Sequence, residues 1–288
     1  MRILVTGAGG MLGTDVESAV ESAGLEVLAL RHSELDVTDA EGVAARLRRL
    51  APAAVINCAA WTAVDRAEFA EERATAVNAA GAGNVARAAA AIDAWTVHIS
   101  TDYVFDGRKH SPYLESDRPA PLSAYGRSKL AGESAVARAA PDTHTIVRTS
   151  WLFGIVGRCF PKTILRVAGD RQEVTVVADQ VGSPTFTEHL APALVELAME
   201  ANLAGTVHLA GAGRCSWHEL AMAVVEAAGI ELEVKSGRTE DMDRPAPRPA
   251  YSVLRSERPE APELPHWQEG VHDFVSAGTR NVPEGRRR

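Results

Sequence analysis

A glycine turn near the start of the chain is the feature that most constrains its fold. The stretch "TGAGGMLG" spaces its glycines as G-x-x-G-x-x-G, directly after an apolar run and directly before a helical pattern. Glycine at these places permits a tight turn, close approach of the backbone to a pyrophosphate, and tight packing of a helix on a strand. This context predicts a dinucleotide site. We expect five residues of the turn to contact the cofactor: Gly7, Gly10, Met11, Leu12 and Gly13.

Strands and helices alternate through the first half of the chain. Apolar runs typical of buried strands occupy residues 2–6, 26–30, 53–60, 96–100 and 144–149. Helical patterns lie between them at 11–24, 38–50, 71–92 and from Tyr125 onward. Strands separated by such helices predict an α/β fold with a Rossmann-like, doubly wound parallel sheet and right-handed crossovers. The carboxyl ends of the strands then share one edge, where sheets of this kind bind ligands.

The alternation is less strict after residue 150, which indicates a second, smaller domain. We assign residues 1–150 to an NADP(H)-binding domain and 151–288 mainly to a discontinuous substrate-binding domain, with roughly 173–201 returning to the first. The elements expected in this half are a helix at 159–170, a strand at 173–178, a helix at 187–201 capped by Thr187, a strand in "TVHLAG", and a helix at 216–229 that opens with an S-x-x-E capping box. The proline-rich stretch 244–254 is expected to form a loop.

Composition argues against several classes of protein. The net charge of −8 and the pI near 5.6 disfavour a nucleic-acid binder, which usually presents a basic face. Three widely spaced cysteines form no C-x-x-C pair, so neither a disulfide framework nor a structural zinc site is expected. No apolar run approaches the ~20 residues of a membrane span, and the opening strand leaves no room for a signal peptide. We therefore expect a soluble, cytoplasmic protein without nucleic-acid or membrane partners.

The end of the second strand should select between NADP(H) and NAD(H). An NAD site usually presents a carboxylate there to the ribose 2′-hydroxyl. The stretch "LRHSELD" instead has Arg31 and His32 at this corner and no acid before Glu34. Arg31 either pairs with a 2′-phosphate or is an ordinary exposed loop arginine. We expect NADPH as cofactor, with NADH possible, and we expect Asp36 and Val37 to lie near the adenine.

A tyrosine and a lysine share one face of the alanine-rich helix that begins near Tyr125. Tyr125 and Lys129 are four positions apart in "YGRSK", a spacing that brings side chains together on a helix. Such pairs are common on exposed helices. This pair would also suit ketone reduction, because the alkoxide left by hydride addition must receive a proton. A nearby ammonium favours the phenolate and lowers the pKa of the tyrosine.

Seven motifs follow one another along the chain: "TGAGGMLG", "NCAAWTAVDRAE", "ISTDYVFDG", "AYGRSKLAGE", "RTSWLFG", "DQVGSPT" and "RPAYSVL". The ordered set resembles the extended short-chain dehydrogenase/reductases, and within them the dTDP-4-dehydrorhamnose reductase family. The resemblance implies an NAD(P)H-dependent enzyme that reduces the C4 ketone of a dTDP-4-dehydro-6-deoxysugar. The first choice among these substrates is dTDP-4-dehydro-L-rhamnose, and we expect a monomer or a homodimer.

The resemblance also assigns roles to individual residues. Tyr125 would be the general acid, Lys129 its partner on the nicotinamide ribose, and Thr101 the third member of the triad. Ala60 and Thr62 would border the cofactor.

On the substrate side, the resemblance places Asp102 and Trp151 at the sugar and Arg248 at the diphosphate, which a guanidinium binds bidentately. Three alternatives stay open. Trp151 could be a core tryptophan, Arg248 could be exposed to solvent, and Asn57 could satisfy backbone groups at a strand end rather than contact the cofactor.

This chain departs from the family pattern at two places near the sugar. Relatives usually have Asn-Phe where this chain has Cys159-Phe160, and Trp61 stands where a smaller ring is more common. These departures leave the identity of the sugar open, but not the reaction. Asp15 and Glu188 could correspond to acids that hold magnesium at a dimer interface in some relatives, although we expect no metal.

Two other functions are alternatives. Nucleotide-sugar epimerases and dehydratases share the glycine turn, the tyrosine and the lysine, but such dehydratases carry Asp-Glu where this chain has Asp102-Tyr103. A regulatory subunit similar to the β subunit of methionine adenosyltransferase would have the same fold. The complete set of Thr101, Tyr125 and Lys129 argues against that role.

Overall fold

The structure, a computed structural model, describes residues 1–280, so the end of the expected second domain lies outside the described residues. Six parallel strands form the central sheet, in the order β10-β5-β4-β3-β1-β2. They are β1 (Arg2–Thr6), β2 (Glu26–Leu30), β3 (Ala54–Asn57), β4 (Trp95–Thr101), β5 (His144–Thr149) and β10 (Gly205–His208). The chain passes from β1 to β2 and then back beyond β1 to β3, so the topological switch lies between β1 and β3. The predicted doubly wound parallel sheet is confirmed.

Helices cover both faces of the central sheet. On one face, α1 (Met11–Ser22) and α8 (Thr187–Glu200) pack over Ile3, Val5 and Ile56. The other face carries α2 (Ala40–Leu50), α5 (Ala82–Ala90) and α6 (Ala124–Ala139). The inner strands β3, β4 and β5 are buried along their whole length because neither face of the sheet meets water.

The second half of the chain builds a smaller body beside the sheet. Its helices α7 (Phe160–Asp170), α9 (Trp217–Ala228) and α10 (Trp267–Arg280) surround an aromatic core that contains Phe153, Phe186 and Phe274. Three pairs of short strands complete it: β6 (Leu152–Phe153) with β9 (Thr185–Phe186), β7 (Glu173–Val177) with β12 (Glu233–Gly237), and β8 (Val181–Gly182) with β11 (Cys215–Ser216).

The chain returns to the central sheet later than expected. Strand β7 pairs with β12 in the smaller body, whereas α8 covers the sheet and β10 extends it beside β5. The expected range 173–201 is therefore wrong at its start, and it omits residues 205–208. A local pattern shows that a segment is a strand, but not which distant strand it pairs with.

Side chains cap the starts of α2 and α9, but not that of α8. The Asp39 side chain accepts a hydrogen bond from the Gly42 backbone and caps α2, and Ser216 and Glu219 form the capping box of α9. Thr187 does not cap α8, which contradicts the expectation. Phe186 occupies the cap position, and the Thr187 hydroxyl donates to the Phe153 carbonyl instead.

The helix expected at 71–92 is interrupted by a π-helical segment. It consists of α4 (Glu71–Thr75), a π-helix (Ala76–Gly81) and α5, and it follows the short α3 (Val64–Ala67). Segments of this kind are rare and often lie at functional sites.

The proline-rich stretch 244–254 forms the expected loop, which runs back from the smaller body across the first half of the chain. Isolated bridges join Leu254 to Tyr113 and Tyr251 to Val181. In the part of the chain that the structure describes, no helix is both long enough and apolar enough to cross a bilayer.

Candidate active site

A cavity of about 950 Å³ follows the carboxyl ends of the central strands, as expected for a doubly wound sheet. We call it the main cavity. It brings together all the residues expected at the cofactor: Gly7, Gly10, Met11, Leu12, Gly13, Arg31, Asp36, Val37, Ala60, Thr62, Tyr125 and Lys129. Thr101, Asp102 and Trp151 also line it, whereas Arg248 does not.

The glycine turn admits no side chains where it meets its neighbours. Gly7 has a φ of +65°, and a Cβ there would lie 2.8 Å from the backbone nitrogen of Ala59. A Cβ on Gly13 would lie 2.3 Å from the Gly7 carbonyl oxygen. The first turn of α1 is capped by Gly10 without a side-chain hydrogen bond, so its backbone N–H groups are free to bind an anion. This cradle fits a dinucleotide pyrophosphate.

The corner after β2 exposes Arg31 and His32 together with Glu34, whose carboxylate accepts from the Arg31 backbone at 3.0 Å. The aliphatic part of Arg31 lies 3.5 Å from the position that a Cβ on Gly9 would take, so this side chain lies over the glycine turn. Asp36 accepts hydrogen bonds from the backbone and hydroxyl of Thr38, and these bonds hold the pKa of its carboxyl below the usual value. The carboxylate oxygen that takes both bonds is therefore less available to a ribose hydroxyl than a free acid would be.

The triad residues meet at the end of β4. Thr101 is the last residue of that strand, and Tyr125 and Lys129 project from the first turns of α6. The N-terminus of α6 is fixed by two side chains: Ser123 accepts from the Gly126 backbone at 3.1 Å, and Glu68 accepts from the Ala124 backbone at 2.8 Å.

Burial dominates the ionisation of the triad. It raises the pKa of Tyr125 to about 12, although a hydrogen bond with Thr101 acts to lower that pKa. Burial also lowers the pKa of Lys129 to about 8, and the Lys129 ammonium donates to the Ile99 carbonyl at 2.5 Å. The net lowering of the Tyr125 pKa that was expected from Lys129 is therefore not observed. Desolvation has the largest effect, and the ammonium is engaged by a backbone carbonyl.

Asp102 is a buried acid with one free oxygen. Its Oδ1 accepts from the Thr101 hydroxyl at 3.1 Å, and within the described residues no hydrogen bond of good geometry reaches Oδ2. Burial raises the pKa of this carboxyl to about 7, while the nearby Ser252 hydroxyl acts to lower it. Asp102 lines the main cavity, but its Oδ2 atom is itself closed off from solvent.

Trp151 is held flat against a second indole that sequence reasoning missed. Its ring stacks on Trp217 with centroids 3.6 Å apart and planes 6° apart, and its φ is +49°. A Cβ on Gly182 would lie 2.4 Å from the Trp151 ring, so glycine there makes room for the indole. Trp151 is half-buried, lines the main cavity and also packs against the core of the smaller body. Trp151 is therefore partly a packing residue of the smaller body, and its contact with the sugar stays a prediction.

Arg248 is paired with a carboxylate outside the main cavity. Its two terminal nitrogens each donate to one oxygen of Asp65 at 2.8 Å, and Nη1 also donates to the Ala246 carbonyl at 2.7 Å. Only 8% of the side chain is exposed, so the alternative of a solvent-exposed arginine is wrong. This pair also holds the pKa of Asp65 below its usual value.

Two buried asparagines support the edge of the sheet. Asn57 accepts from the Thr6 hydroxyl at 2.6 Å and contacts His98 at 3.1 Å, and it does not line the main cavity. These observations favour the alternative in which Asn57 satisfies groups at the end of a strand rather than contacting the cofactor. Asn78, in the π-helix, binds both backbone groups of Trp61 and the Ser128 hydroxyl. No motif or spacing in the sequence marks Asn78.

Several lining residues were not predicted, although some have a recognisable signal. Cys58 and Ser150 directly follow β3 and β5, so the rule about carboxyl ends of strands could have found them. Arg158 also lines the main cavity, beside Cys159. The Cys159 thiol lies 3.6 Å from the Gly154 carbonyl, and Phe160 meets Trp217 edge to face, so this departure from the family lies behind the indole pair.

Asp15 lies in the interface of α1 and α8. Burial raises the pKa of its carboxyl, and a hydrogen bond with Thr187 acts in the opposite direction. Glu188 follows in the first turn of α8. Among residues 1–280, no group of three or more His, Cys, Asp or Glu side chains is arranged to hold a metal ion.

Comparisons with known proteins agree with this geometry. The family described as RmlD substrate binding domain matches residues 1–280. A dTDP-4-dehydrorhamnose reductase of Mycolicibacterium smegmatis is 45% identical over 292 residues, which cover 99% of this chain and 88% of the relative.

Two solved structures are similar over nearly their whole length. A dTDP-4-dehydrorhamnose reductase from Clostridium acetobutylicum has a TM-score of 0.93 at 39% identity, with 97% of this chain and 100% of that chain covered. One from Bacillus anthracis, in complex with NADP, has a TM-score of 0.93 at 37% identity, with 96% and 99% covered. This chain therefore belongs to the dTDP-4-dehydrorhamnose reductase family and is a nicotinamide-dependent oxidoreductase.

Proposed function

We propose that this protein reduces the C4 ketone of a dTDP-4-dehydro-6-deoxysugar, with dTDP-4-dehydro-L-rhamnose as the substrate and dTDP-L-rhamnose as the product. The observation that carries the proposal is the convergence of Thr101, Tyr125 and Lys129 on one end of the main cavity, beside Asp102 and Trp151. The relatives named above support it, since the reductases from M. smegmatis and B. anthracis carry dTDP-4-dehydrorhamnose in their names.

The residues divide the chemistry between them. A bound nicotinamide cofactor would supply the hydride, and the protein supplies the proton that completes the alcohol. With a pKa of about 12, the Tyr125 phenol is protonated at neutral pH and can act as the general acid. Thr101 hydrogen-bonds the phenol and is placed to contact the same oxygen of the substrate. Lys129 holds a positive charge beside them, and this charge favours the phenolate that proton donation leaves.

Sugar recognition is proposed for Asp102 and Trp151. The Asp102 carboxyl would accept from or donate to a sugar hydroxyl, and the flat face of Trp151 would pack against the ring. Arg248 is proposed for the diphosphate, which requires the guanidinium to exchange or share its Asp65 partner.

NADPH is the proposed cofactor. Arg31 lines the main cavity beside the glycine turn, and the carboxylate of Asp36 is engaged by Thr38. The NADP complex of the B. anthracis relative supports the same choice.

The three cysteines are free thiols, as is usual in a reducing compartment, and this supports the cytoplasm as the proposed location.

The decisive assay follows NADPH oxidation with dTDP-4-dehydro-L-rhamnose and identifies the C4 configuration of the product by NMR. Tyr125→Phe removes only the hydroxyl, and losing a positioned general acid should lower kcat by ~10²–10⁴-fold while cofactor binding survives. Tyr113→Phe is the matched control, because this buried phenol binds Asp106 and does not line the main cavity.

Other results would identify the alternatives. Conversion of a nucleotide sugar without net consumption of NADPH would indicate an epimerase. Stable binding of a partner enzyme without turnover of any nucleotide sugar would indicate a regulatory subunit. Near-normal kcat in Tyr125→Phe would remove Tyr125 from the reaction.

A further inference from the structure

A buried ion pair lies directly beneath the proposed triad. Glu133 on α6 and Arg148 on β5 are each 5% exposed, and neither lines the main cavity. Arg148 donates from Nε and Nη2 to the two carboxylate oxygens of Glu133, at 2.9 and 2.7 Å. Each residue belongs to a sequence motif of the family, but the proposed reaction gives neither of them a role.

The carboxylate of Glu133 joins three elements at the level of Lys129. Glu133 stands four residues after Lys129, so both side chains lie on one face of α6. Its Oε1 also accepts from the Ser100 hydroxyl at 2.5 Å. Ser100 lies between Ile99, whose carbonyl receives the Lys129 ammonium, and Thr101, and it is paired in register with Arg148.

Arg148 is itself restrained on its remaining sides. Its guanidinium lies 5.2 Å from the centre of the Phe105 ring, and its Nη1 is 3.5 Å from Nε2 of His208. The other ring nitrogen of His208 faces the carbonyls of Tyr113 and Arg255, at 3.1 and 3.2 Å. The Glu133 carboxylate is therefore fixed in position by a partner that cannot easily move.

The charges around Lys129 give this carboxylate an electrostatic role. Burial acts to lower the Lys129 pKa, whereas Glu133 and Cys58 act to raise it. The Cys58 thiol has a pKa of about 12 and is neutral at physiological pH, so Glu133 supplies the negative charge. On β4, His98 has a pKa well below its usual value because of burial, and it is neutral as well.

Stability alone is a weak explanation for this arrangement. Replacing a buried ion pair by apolar side chains of similar size is often neutral or stabilising, because both charges must be removed from water. We propose that Glu133 is a positioning residue that, clamped by Arg148, keeps the Lys129 ammonium charged and in place beside Tyr125. This inference rests on the proposed function, since Lys129 matters only if the triad reacts.

The test measures the charge of Lys129 directly, without turnover. The chain has four lysines, so the ε-carbon signals of isotopically labelled lysine can be assigned by NMR, with Lys129→Met identifying the signal of interest. Glu133→Gln keeps the shape and the acceptor for Ser100 but removes the charge. Its Lys129 signal should titrate about one unit or more below that of the wild type, since a lost neighbouring charge shifts a pKa by ~1–3 units.

Activity should follow the same titration. In Glu133→Gln, kcat relative to the wild type should fall about fivefold between pH 6 and pH 8, because lowering the Lys129 pKa from about 8 by one unit reduces the charged fraction at pH 8 from about one half to about one tenth. Glu71→Gln is the matched control. This change removes the carboxylate that pairs at the surface with Arg127, which lies on α6 as Glu133 does. It should leave the pH profile of kcat unchanged.

A second variant covers the case in which Glu133→Gln folds poorly because Arg148 is left without an anion. Glu133→Gln/Arg148→Met removes both charges and should show the same lowered Lys129 titration. A wild-type Lys129 titration in the double variant would overturn the inference, as would lower resistance to urea with an unchanged pH profile. A wild type that does not reduce the ketone, or that tolerates Tyr125→Phe, would instead refute the proposed function.

Discussion

Desolvation sets the ionisation of three side chains at one end of the main cavity. It raises the pKa of Asp102 to about 7 and that of Tyr125 to about 12, and it lowers that of Lys129 to about 8. Each shift favours the neutral form of the group. At neutral pH the phenol is thus a proton donor, while Asp102 and Lys129 are near the midpoints of their titrations. Small changes in their surroundings therefore change their charge.

Asp102 should make the stability of the protein depend on pH. Its pKa is about 7 in the folded chain and near 3.8 without burial, so the folded state favours the protonated acid. The stabilisation that this preference contributes is fully present below about pH 4 and is lost as the pH rises through about 7. Asp102→Asn has no such group, so its urea midpoint relative to the wild type should rise between pH 5 and pH 8.

Asp106→Asn is the control for that measurement, because a hydrogen bond with Tyr113 holds the pKa of Asp106 below its usual value. Its difference from the wild type should stay constant between pH 5 and pH 8 and change only at lower pH. A constant difference for Asp102→Asn over the same range would show that Asp102 is ionised throughout.

Arg31 should determine the preference between the two cofactors. If it binds the 2′-phosphate, Arg31→Ala should lower the ratio of kcat/KM for NADPH to that for NADH by about tenfold, the scale of one exposed charged hydrogen bond. Arg48→Ala removes the same charge from an exposed position on α2 and should leave the ratio unchanged. An unchanged ratio in Arg31→Ala would show that Arg31 is an ordinary loop residue that does not bind the 2′-phosphate.

At the scale of elements, prediction succeeded where the cause is local. The glycine turn, the central strands and the capping box of α9 each depend on residues a few positions apart. The pairing of β7 with β12 and the arrival of β10 beside β5 depend on contacts across about 60 residues. Periodicity within a segment carries no information about such partners.

The candidate site shows the same division. Thr101, Tyr125 and Lys129 could be placed because their motifs are continuous. The partners that give them their properties could not, since the Glu133–Arg148 pair and the Trp151–Trp217 stack join separate elements. The lowering of the Tyr125 pKa was wrongly expected because burial cannot be read from helical spacing.

The two stacked indoles link α9 to the wall of the main cavity. Trp217→Leu should leave Trp151 without its support and raise KM for the nucleotide sugar several-fold with little change in kcat, since a stacked aromatic pair contributes ~0.5–1.5 kcal/mol. The coupled indole signal in near-ultraviolet circular dichroism should be lost in the same variant. Phe274→Leu alters the core of the same body, where Phe274 packs on Phe153 and Phe186, and should change neither quantity.

At the scale of the whole molecule, the loop 244–254 and the residues after it connect the smaller body to the central sheet. Leu254 bridges to Tyr113, the Glu257 carboxylate accepts from Ser116, and Arg248 binds Asp65 in α3. The loop also brings Ser252 close to Asp102. Movement of this loop would therefore change the surroundings of Asp102 at the proposed sugar site.

Arg248 has either one role or two, and its ion pair with Asp65 allows them to be separated. If Arg248 only holds the loop in place through its ion pair, Arg248→Met and Asp65→Asn should lower the free energy of unfolding by similar amounts and change KM equally. We expect about 1–2 kcal/mol, less than for a fully buried pair, because Asp65 is 38% exposed. If Arg248 also binds the diphosphate, Asp65→Asn leaves the guanidinium available to it, and only Arg248→Met should raise KM more than it lowers kcat. Urea titration and steady-state kinetics of both variants and the double variant distinguish the two cases, and equal KM values in the single variants would remove Arg248 from the substrate site.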